Sequence, residues 1–348
     1  MTLAEQLKQL LDDTQPKQSN ARGGIVRKQD LHPDLREWIA QKKKIELTLP
    51  TGAIVDVPDA DQIPAFFKIL DDILVGNNVW LYGPAGTGKT TLAKMVANTL
   101  LSGRFPNRDQ YPFIVINCNQ WTSPIDLIGG QTIEGYKEGR LIDAWREGKI
   151  LILDEITKLD PNTAGIVNDA LALSDKSGKD SVIYNGNGQP IEKHPDFGCI
   201  AAANTTGRGT SASYGGNNKQ DASLLDRFSG NFYAIGFNKE LEQALVAPKI
   251  FEIADQIRDQ LISLQSQEIM SLRTMLQLNK IYLLEMERET GKKPKVAGGK
   301  TLKDALDNYF GVMPLDQAKQ IKEEVKLDAF LRSYKDREAF LDYYTAIT

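Results

Sequence analysis

A phosphate cradle is the first chemistry that this sequence suggests. The stretch "GPAGTGKT" at 83–90 fits the pattern G-x-x-x-x-G-K-[ST] and lies between an apolar run, "VWLY", and a helix-forming run, "TLAKMVANTLL". Glycines at this spacing let backbone N–H groups face a phosphate at the start of a helix. Lys89 would then span the β- and γ-phosphates, and the Thr90 hydroxyl would bind Mg²⁺. The predicted nucleotide-binding residues are Gly83, Pro84, Ala85, Gly86, Thr87, Gly88, Lys89, Thr90 and Thr91.

A second motif supplies paired carboxylates. The apolar run "KILILD" ends in Asp154 and is followed directly by Glu155. Asp154 would hold Mg²⁺ at the end of a buried strand. Glu155 would polarise the water that attacks the γ-phosphate, because neighbouring cations keep a glutamate ionised while it accepts a proton. The two motifs together predict hydrolysis of a nucleoside triphosphate with Mg²⁺.

The next stretch, "TKLD" at Thr157–Asp160, resembles the [NT]-K-x-D sequence with which guanine-specific GTPases recognise their base. That motif should end a later strand and reach the base. Here it begins the helix directly after the carboxylates, on the phosphate side. We therefore interpret the match as a coincidence, and we expect adenine as the base and ATP as the cofactor.

Three further polar residues complete the predicted site. Asn204 ends the apolar run "CIAAAN", and in a parallel sheet it would point toward the phosphates, where a neutral amide can orient water. Arg227 precedes the last apolar run, and Arg273 lies early in a later helix. Phosphoryl transfer needs cations on the developing charge of the γ-phosphate, so both arginines are candidates for that task. For each of them a surface ion pair is the alternative.

The elements that must position these residues alternate between short apolar runs and helical segments. The strand-like runs are "VWLY" (79–82), "FIVIN" (113–117), "KILILD" (149–154), "CIAAAN" (199–204) and "FYAIGF" (232–237). Short continuous apolar runs of this kind are typical of buried parallel strands. We therefore predict an α/β fold with a five-stranded parallel sheet. After Phe237 the apolar residues recur at helical spacing, which predicts a helical domain.

The predicted organisation has four parts. Residues 1–55 hold an amphipathic helix, a polar linker and a β-hairpin around Thr51-Gly52. Residues 56–237 form the nucleotide-binding domain, and 238–325 form a helical lid domain. Residues 326–348 form a helical tail with apolar residues on one face.

Composition narrows the class of protein. Of the 348 residues 41% are hydrophobic, and 42 Lys and Arg stand against 46 Asp and Glu, so the net charge of −4 gives no general footprint for nucleic acid. The two cysteines and two histidines lie apart, which excludes a zinc site with the usual ligands. The first helix carries acids and no run approaches 18 apolar residues. We therefore expect a reduced, cytoplasmic protein without membrane segments.

The order of the site residues resembles that of AAA+ ATPases. The resemblance rests on 83–90, Asp154-Glu155, Asn204, Arg227 and Arg273, and it covers roughly residues 60 to 290. Within that family, "CNQWTSPIDLIGG", "EGRLIDAWREGKILILDEITKLDP" and "AAANTTGRG" followed by "LLDRF" are similar to the MoxR branch. They are closest to its CobS-like members, the ATPase subunits of cobaltochelatase. The part up to about residue 53 and the tail after residue 325 match no motif of the family.

The resemblance implies an AAA+ P-loop NTPase domain, followed by a helical lid domain, in a hexameric ring with ATP between subunits. Asn204 corresponds to sensor 1 of the family, and Arg227 corresponds to an arginine finger that acts in trans. Arg273 corresponds to sensor 2. Arg208, in "TTGRG", is a rival of Arg227 for the trans role.

The resemblance also implies two insertions, both on the central channel or one rim of the ring, where a substrate or adaptor protein binds. One is a helix-2 insert at about 129–140, and the other is a β-hairpin before sensor 1 at 181–194. The second is visible in the sequence itself, because Asn185-Gly186 and Asn187-Gly188 are flanked by apolar residues. We predict a tight turn at Asn187-Gly188. Because this hairpin lies between the carboxylates and Asn204, we also predict that it transmits a change at the nucleotide.

Three functions are compatible with these features. The leading hypothesis is an ATP-hydrolysing, homo-oligomeric ring motor that remodels a protein or protein complex by moving its lid. The alternative is a nucleic-acid motor, or the NTPase part of a nuclease system, in which the hairpin and the loop with Lys292, Lys293 and Lys295 contact DNA. The third is an assembly module that binds ATP without turnover, and the presence of Glu155 argues against it.

Overall fold

The computed structural model describes residues 65–101, 111–172, 181–209, 216–294 and 298–347, together with two short strands near the N-terminus. These are β1 (Ile45–Thr48) and β2 (Ile54–Val57), which pair antiparallel. They agree with the predicted hairpin, whose turn at Thr51-Gly52 lies outside the described residues. The predicted N-terminal helix, the polar linker and Lys295 also lie outside them.

The chain divides into two compact units. The first contains residues 63–84 and 88–236, and the second contains 237–348 together with 44–62 and 85–87. The first unit is built, in chain order, from α1 (Phe66–Leu74), β3 (Val79–Tyr82), α2 (Lys89–Leu101), β4 (Phe113–Asn117), α3 (Pro124–Ile128), β5 (Gly130–Thr132), β6 (Gly135–Lys137), α4 (Arg140–Glu147), β7 (Ile150–Asp154), α5 (Pro161–Ala172), β8 (Val182–Tyr184), β9 (Pro190–Glu192), β10 (Gly198–Ala203), α6 (Ala222–Asp226) and β11 (Phe232–Ala234).

A five-stranded sheet of order β11-β3-β10-β7-β4 forms the centre of the first unit, and all its neighbouring strands are parallel. This confirms the predicted α/β fold. Asp154, the last residue of β7, lies opposite Ala202 of β10 and Asn117 of β4, and Tyr82 of β3 lies opposite Ala203. The register therefore brings the chain segments that follow β3, β7 and β10 to one edge of the sheet.

Trp80 anchors the middle of this sheet. Its side chain is fully buried on β3, and its indole Nε1 donates a hydrogen bond to the carbonyl of Thr205 at 3.1 Å. Its ring lies 5.2 Å from that of Phe228, edge to face, and 5.6 Å from that of Phe232. A buried tryptophan needs a partner for its N–H. The bond to Thr205 fixes β3 against the segment that follows β10.

Two hairpins interrupt the alternation of strands and helices; the second is the predicted hairpin, and the first lies where the resemblance implies an insertion. β5 and β6 form one between α3 and α4, at the predicted helix-2 insert, and β8 and β9 form the other before β10. The turn of the second hairpin is wider than the predicted two-residue turn at Asn187-Gly188. The N–H of Asn185 pairs with the carbonyl of Gln189, and the side-chain Oδ1 of Asn185 accepts from the N–H groups of Asn187 and Gln189. The buried Asn185 side chain thus closes a loop of five residues.

The second unit is helical after residue 237, which agrees with the predicted helical domain. Its helices are α7 (Lys239–Leu245), α8 (Pro248–Ser263), α9 (Leu272–Glu289), α10 (Leu302–Phe310), α11 (Leu315–Glu324), α12 (Leu327–Ser333) and α13 (Arg337–Ile347). Phe340 of α13 is fully buried, and its ring lies 6.1 Å from that of Tyr282 on α9. The segments assigned to a lid and to a tail therefore share one apolar core. None of the helices in the described part of the chain is both long and apolar enough to cross a membrane.

Candidate active site

The glycines of the predicted phosphate cradle adopt backbone conformations that suit glycine. Gly83, Gly86 and Gly88 have φ angles of +147°, +76° and +84°. A Cβ on Gly83 would also overlap the backbone carbonyl of Ile235, which continues the pairing of β11 with β3. Side chains are therefore excluded at Gly83 by both strain and space. Residues 85–87 belong to the second unit.

Lys89 is the first residue of α2, and its side chain is almost completely buried. Its Nζ donates to the carbonyls of Gly83 and Pro84 at 2.9 and 2.8 Å and to Oδ1 of Asn204 at 3.2 Å. Burial lowers the pKa of the Lys89 ammonium below its usual value, and the carboxylates of Glu155 and Asp154 oppose that change. The ammonium thus has neutral oxygens as its hydrogen-bond partners, which phosphate oxygens would replace.

Thr90 and Asp154 form a pair of oxygen donors beside this lysine. The Thr90 hydroxyl donates to Oδ2 of Asp154 at 2.9 Å. In the part of the chain that the structure describes, no group of three or more His, Cys, Asp or Glu residues could hold a metal ion. Mg²⁺ prefers one or two carboxylate or hydroxyl oxygens and keeps substrate phosphates and waters as its remaining ligands. The Thr90–Asp154 pair fits that requirement.

Glu155 follows β7 in a left-handed backbone conformation, with φ +57°. Both of its carboxylate oxygens lie 3.3 Å from Nδ2 of Asn204, and Oε2 also lies 3.3 Å from Nζ of Lys158. The Asn204 amide therefore accepts from Lys89 and donates to Glu155. The structure brings five of the predicted site residues together at the carboxyl edge of the sheet, namely Lys89, Thr90, Asp154, Glu155 and Asn204.

Cys118 lies next to this cluster but contributes no acid–base chemistry to it. Its N–H donates to the carbonyl of Asp154 at 2.8 Å, and its side chain is buried. Burial raises the pKa of the Cys118 thiol to about 12, and the negative charges of Asp154 and Glu155 add to the increase. The thiol is therefore a packing group at neutral pH.

The three arginines lie in different surroundings. Arg227 follows α6, and its Nε donates to Oδ1 of Asn168 on α5 at 3.0 Å. Arg208 is exposed, in the segment after β10. Arg273 is the second residue of α9 in the helical unit. Within the described residues, Arg227 therefore bonds to α5 of its own chain and not to the cluster around Lys89 and Glu155.

Two contacts of the site escaped the sequence analysis. Lys158 belongs to the "TKLD" stretch that is interpreted as a coincidental match, although its position three residues after Glu155 allows a side-chain contact across one turn. Asn168, the partner of Arg227, carries no motif at all. Its contact with Arg227 joins residues 59 positions apart, so it depends on the tertiary fold.

The fold and the site define a class of protein. A parallel sheet of this order, with a phosphate cradle between β3 and α2 and a carboxylate pair at the end of β7, is an AAA+ P-loop NTPase fold, a nucleotide-binding fold. Residues 78–228, a little under half of the chain, match the family described as AAA domain (dynein-related subfamily). The matched segment begins just before β3 and ends just after Arg227.

Relatives with similar sequences occur in species of Staphylococcus and Bacillus. An uncharacterized protein of Staphylococcus epidermidis is 32% identical over 139 residues, which cover 37% of this chain and 48% of the relative. The uncharacterized protein SSP1341 of Staphylococcus saprophyticus is 28% identical over 218 residues, which cover 59% of this chain and 78% of the relative. The uncharacterized protein YojN of Bacillus subtilis is 30% identical over 154 residues, 42% of this chain and 46% of that protein. The chain thus spans about half the length of two of these relatives.

Solved structures with a related arrangement include that of NtrX from Brucella abortus. Its complex with ADP has 18% sequence identity and a TM-score of 0.46, with 77% of this chain and 62% of that chain covered. Its complex with ATP has 18% identity and a TM-score of 0.45, with 90% of this chain and 72% of that chain covered.

Proposed function

We propose that this chain is an ATP-hydrolysing AAA+ motor of the MoxR branch, similar to CobS-like ATPases, which assembles into a ring of six copies and remodels a protein or protein complex. The observation that carries the proposal is the hydrogen-bonded series from Lys89 through Asn204 to Glu155. It lies beside the Thr90–Asp154 pair. These residue types in this contact are what phosphoryl transfer to water requires.

In the proposed reaction, the γ-phosphate draws Lys89 away from the carbonyls of Gly83 and Pro84. Asn204 keeps its amide on Glu155, so that it orients the carboxylate and the water beside it. Glu155 accepts a proton from that water while the water oxygen forms a bond to the γ-phosphorus. At the same time the bond between the γ-phosphorus and the β-phosphate oxygen breaks, which leaves ADP and phosphate. Mg²⁺ held by Thr90 and Asp154 would supply positive charge for the phosphates.

The proposed site needs a further cation on the γ-phosphate. Among the described residues, Lys89 contacts Asn204 and Lys158 contacts Glu155, whereas Arg227 bonds to Asn168 and Arg208 is exposed. We assign Arg227 to the site of the neighbouring subunit, with Arg208 as the rival, and Arg273 to a lid contact with the nucleotide. A cation delivered by a second subunit couples hydrolysis to assembly.

The two hairpins are the proposed contact with the remodelled protein. Ile133 at the tip of the β5–β6 hairpin is fully exposed, and Tyr184 of β8 is 64% exposed. Exposed apolar side chains suit an apolar polypeptide segment better than a phosphate backbone. The loop proposed for DNA in the alternative hypothesis has other contacts, since Lys293 pairs with Glu287 at 2.6 Å and Lys292 lies over the ring of Tyr344 at 3.9 Å.

Mixed assemblies test the proposal. Arg227→Ala should lose ATP hydrolysis while it keeps ATP binding, and Lys89→Ala should lose both. Because a mixed ring joins an intact cradle to an intact arginine, hydrolysis should return when the two inactive variants are combined. The same experiment with Arg208→Ala in place of Arg227→Ala decides which of the two arginines acts in trans. No recovery with either arginine variant would contradict a shared site, and ATP hydrolysis stimulated by DNA with a steep salt dependence would favour the nucleic-acid motor.

A further inference from the structure

The turn after β7 holds Glu155 from its own side. This turn, Glu155–Leu159, is closed by a hydrogen bond from the N–H of Lys158 to the carbonyl of Glu155 at 2.8 Å. The Lys158 side chain folds back over it, so that Nζ lies 3.3 Å from Oε2 of Glu155. Asn204 reaches the same carboxylate from β10. The Glu155 carboxylate therefore lies between a charged group of its own turn and a neutral amide of the neighbouring strand.

A loop from far along the chain holds this turn in place. In the loop Asn217–Gln220, the N–H of Asn218 donates to the carbonyl of Thr157 at 2.6 Å, and its Nδ2 donates to the carbonyl of Leu159 at 3.2 Å. The side chain of Gln220 adds a long bond of 3.5 Å to the carbonyl of Thr157. The backbone N–H of Gln220 also donates to the carbonyl of Gly207, next to Arg208. The loop therefore connects the turn that carries Glu155 with the segment that carries Arg208.

This joint between turn and loop is buried but incompletely hydrogen-bonded. Thr157, Asn217 and Gln220 are at most 4% exposed. Among the residues that the structure describes, three of their side-chain atoms have no hydrogen-bond partner, namely Oγ1 of Thr157, Nδ2 of Asn217 and Oε1 of Gln220. Burying such groups without partners is costly, and apolar side chains would pack there at lower cost. Apolar packing therefore does not account for polar side chains at these three positions.

We propose that Lys158 is a positioning residue for Glu155 and that the loop Asn217–Gln220 positions the turn that carries both. The inference rests on the proposed function, because it assigns a task within ATP hydrolysis. Lys158 limits the rotation of the carboxylate by attracting one oxygen, and Asn204 limits it from the other side. Asn218 prevents the turn from shifting along the sheet edge, since it bonds to the carbonyls of two residues of the turn, Thr157 and Leu159.

Lys158→Met tests whether Lys158 positions Glu155. The pair is partly exposed, and exposed ion pairs are weak, so we expect kcat for ATP hydrolysis to fall by about three- to fivefold. The Kd for ATP should stay unchanged, because Lys158 contacts the carboxylate and not the cradle. Lys158→Arg should retain kcat, since it keeps the charge. Lys319→Met, which removes a lysine of an exposed pair with Glu323 in the helical unit, is the matched control and should not change kcat.

Asn218→Ala, measured without nucleotide, tests whether the loop Asn217–Gln220 positions the turn. Hydrogen exchange at the amides of Lys158 and Leu159 should become about tenfold faster, because the turn loses the side-chain bond to the carbonyl of Leu159, although the backbone bond from residue 218 to Thr157 remains. Asn231→Ala is the matched control, since that asparagine also donates to a backbone carbonyl, that of Asn78, and it should leave the turn unchanged.

The outcomes distinguish the positioning roles of the loop and of Lys158 from the proposed function. Unchanged exchange in Asn218→Ala would overturn the task of the loop, whether or not the protein hydrolyses ATP. An unchanged kcat in Lys158→Met, or equal losses in the Met and Arg variants, would overturn the task of Lys158. A wild-type protein that binds ATP but does not hydrolyse it would instead overturn the proposed function. In that case faster hydrogen exchange in Asn218→Ala would still support the proposal that the loop positions the turn.

Discussion

Lys89 carries its charge in an almost completely buried position whose partners are neutral oxygens. Its pKa is lowered by this burial, and bound phosphates would raise it again, because opposite charge favours the ammonium form. Binding of ATP should therefore be coupled to protonation of this one residue. The coupling makes the nucleotide affinity depend on pH in the alkaline range.

The direction of this pH dependence follows from the linkage between protonation of Lys89 and binding of ATP. The charged form of Lys89 binds the phosphates, and the pKa of Lys89 in the free protein is below the ordinary 10.5. The affinity for ATP should therefore decline as the pH rises toward that lowered pKa. Fluorescence titration of an ATP analogue between pH 7 and 10 measures it. Lys89→Arg keeps its charge throughout and should show a flatter profile. A wild-type profile as flat as that of the arginine variant would contradict the assignment.

The two cysteines give a prediction about reactivity. Cys118 has a pKa of about 12, and burial also raises the pKa of Cys199, so at pH 8 about one Cys118 thiol in ten thousand is ionised. Iodoacetamide at pH 8 should therefore modify neither residue in the native protein and both after unfolding in guanidinium, as mass spectrometry would show. Rapid native labelling of either cysteine would contradict the burial described here.

At the scale of elements, the two hairpins of the first unit are joined to each other. The N–H of Gly186 donates to the carbonyl of Ile128 at 2.8 Å, and Glu138 accepts from Tyr136 and from Asn185. The hairpin β8–β9 is also bonded to α4, where Nε1 of Trp145 donates to the carbonyl of Ile191 at 3.1 Å. Because α4 leads into β7 and β9 leads into β10, the hairpins connect, the first one through α4, to the strands that directly precede Glu155 and Asn204.

Gly186→Ala should break this junction. A Cβ on Gly186 would overlap the backbone of Gly129, which cannot move aside as a side chain can, so the hairpins must separate. We expect a loss of about 1–3 kcal/mol in the free energy of unfolding, measured by denaturant titration. Gly165→Ala is the matched control, because it lies in open space on α5 and should be neutral or stabilising by up to about 1 kcal/mol. Equal stability of the two variants would contradict the junction.

Much of this arrangement is predictable from the sequence, because it depends on local signals. The strand β7 and the pair Asp154-Glu155 follow from an apolar run with acids at its end, and the cradle follows from glycines between a strand and a helix. The five-residue turn at Asn185–Gln189 is not predictable in this way, since its width depends on a buried side chain. The contacts of Lys158 and Arg227 likewise depend on how distant segments meet.

At the scale of the whole molecule, each unit has its own core, and the helical one also contains a buried charge pair. Arg258 and Glu242 are at most 3% exposed, and the guanidinium bonds to both carboxylate oxygens, at 2.6 and 2.8 Å. Nε of Arg258 donates to the carbonyl of Met270, and its guanidinium lies 4.0 Å from the centre of the Phe237 ring. The pair thus joins α7, α8 and the segment before α9.

Removing one partner of this pair should be more harmful than removing both. Arg258→Met leaves the Glu242 carboxylate buried without its partner, so we expect the helical unit to lose about 3–5 kcal/mol of unfolding free energy. The double variant with Glu242→Leu should recover a large part of that loss, because no charge then remains buried. Denaturant titration followed by circular dichroism measures both. A double variant less stable than Arg258→Met would contradict this description of the pair.

Steady-state ATP hydrolysis by the wild-type protein and by Glu155→Gln, with ATP binding measured on the same samples, tests the central claim most directly. The proposed role of Glu155 as the base that activates water predicts hydrolysis by the wild type. It predicts a loss of at least about a hundredfold in kcat for the glutamine variant, with ATP binding retained. A wild type that binds ATP and assembles but does not hydrolyse it, or a Glu155→Gln variant that hydrolyses ATP at the wild-type rate, would contradict the account.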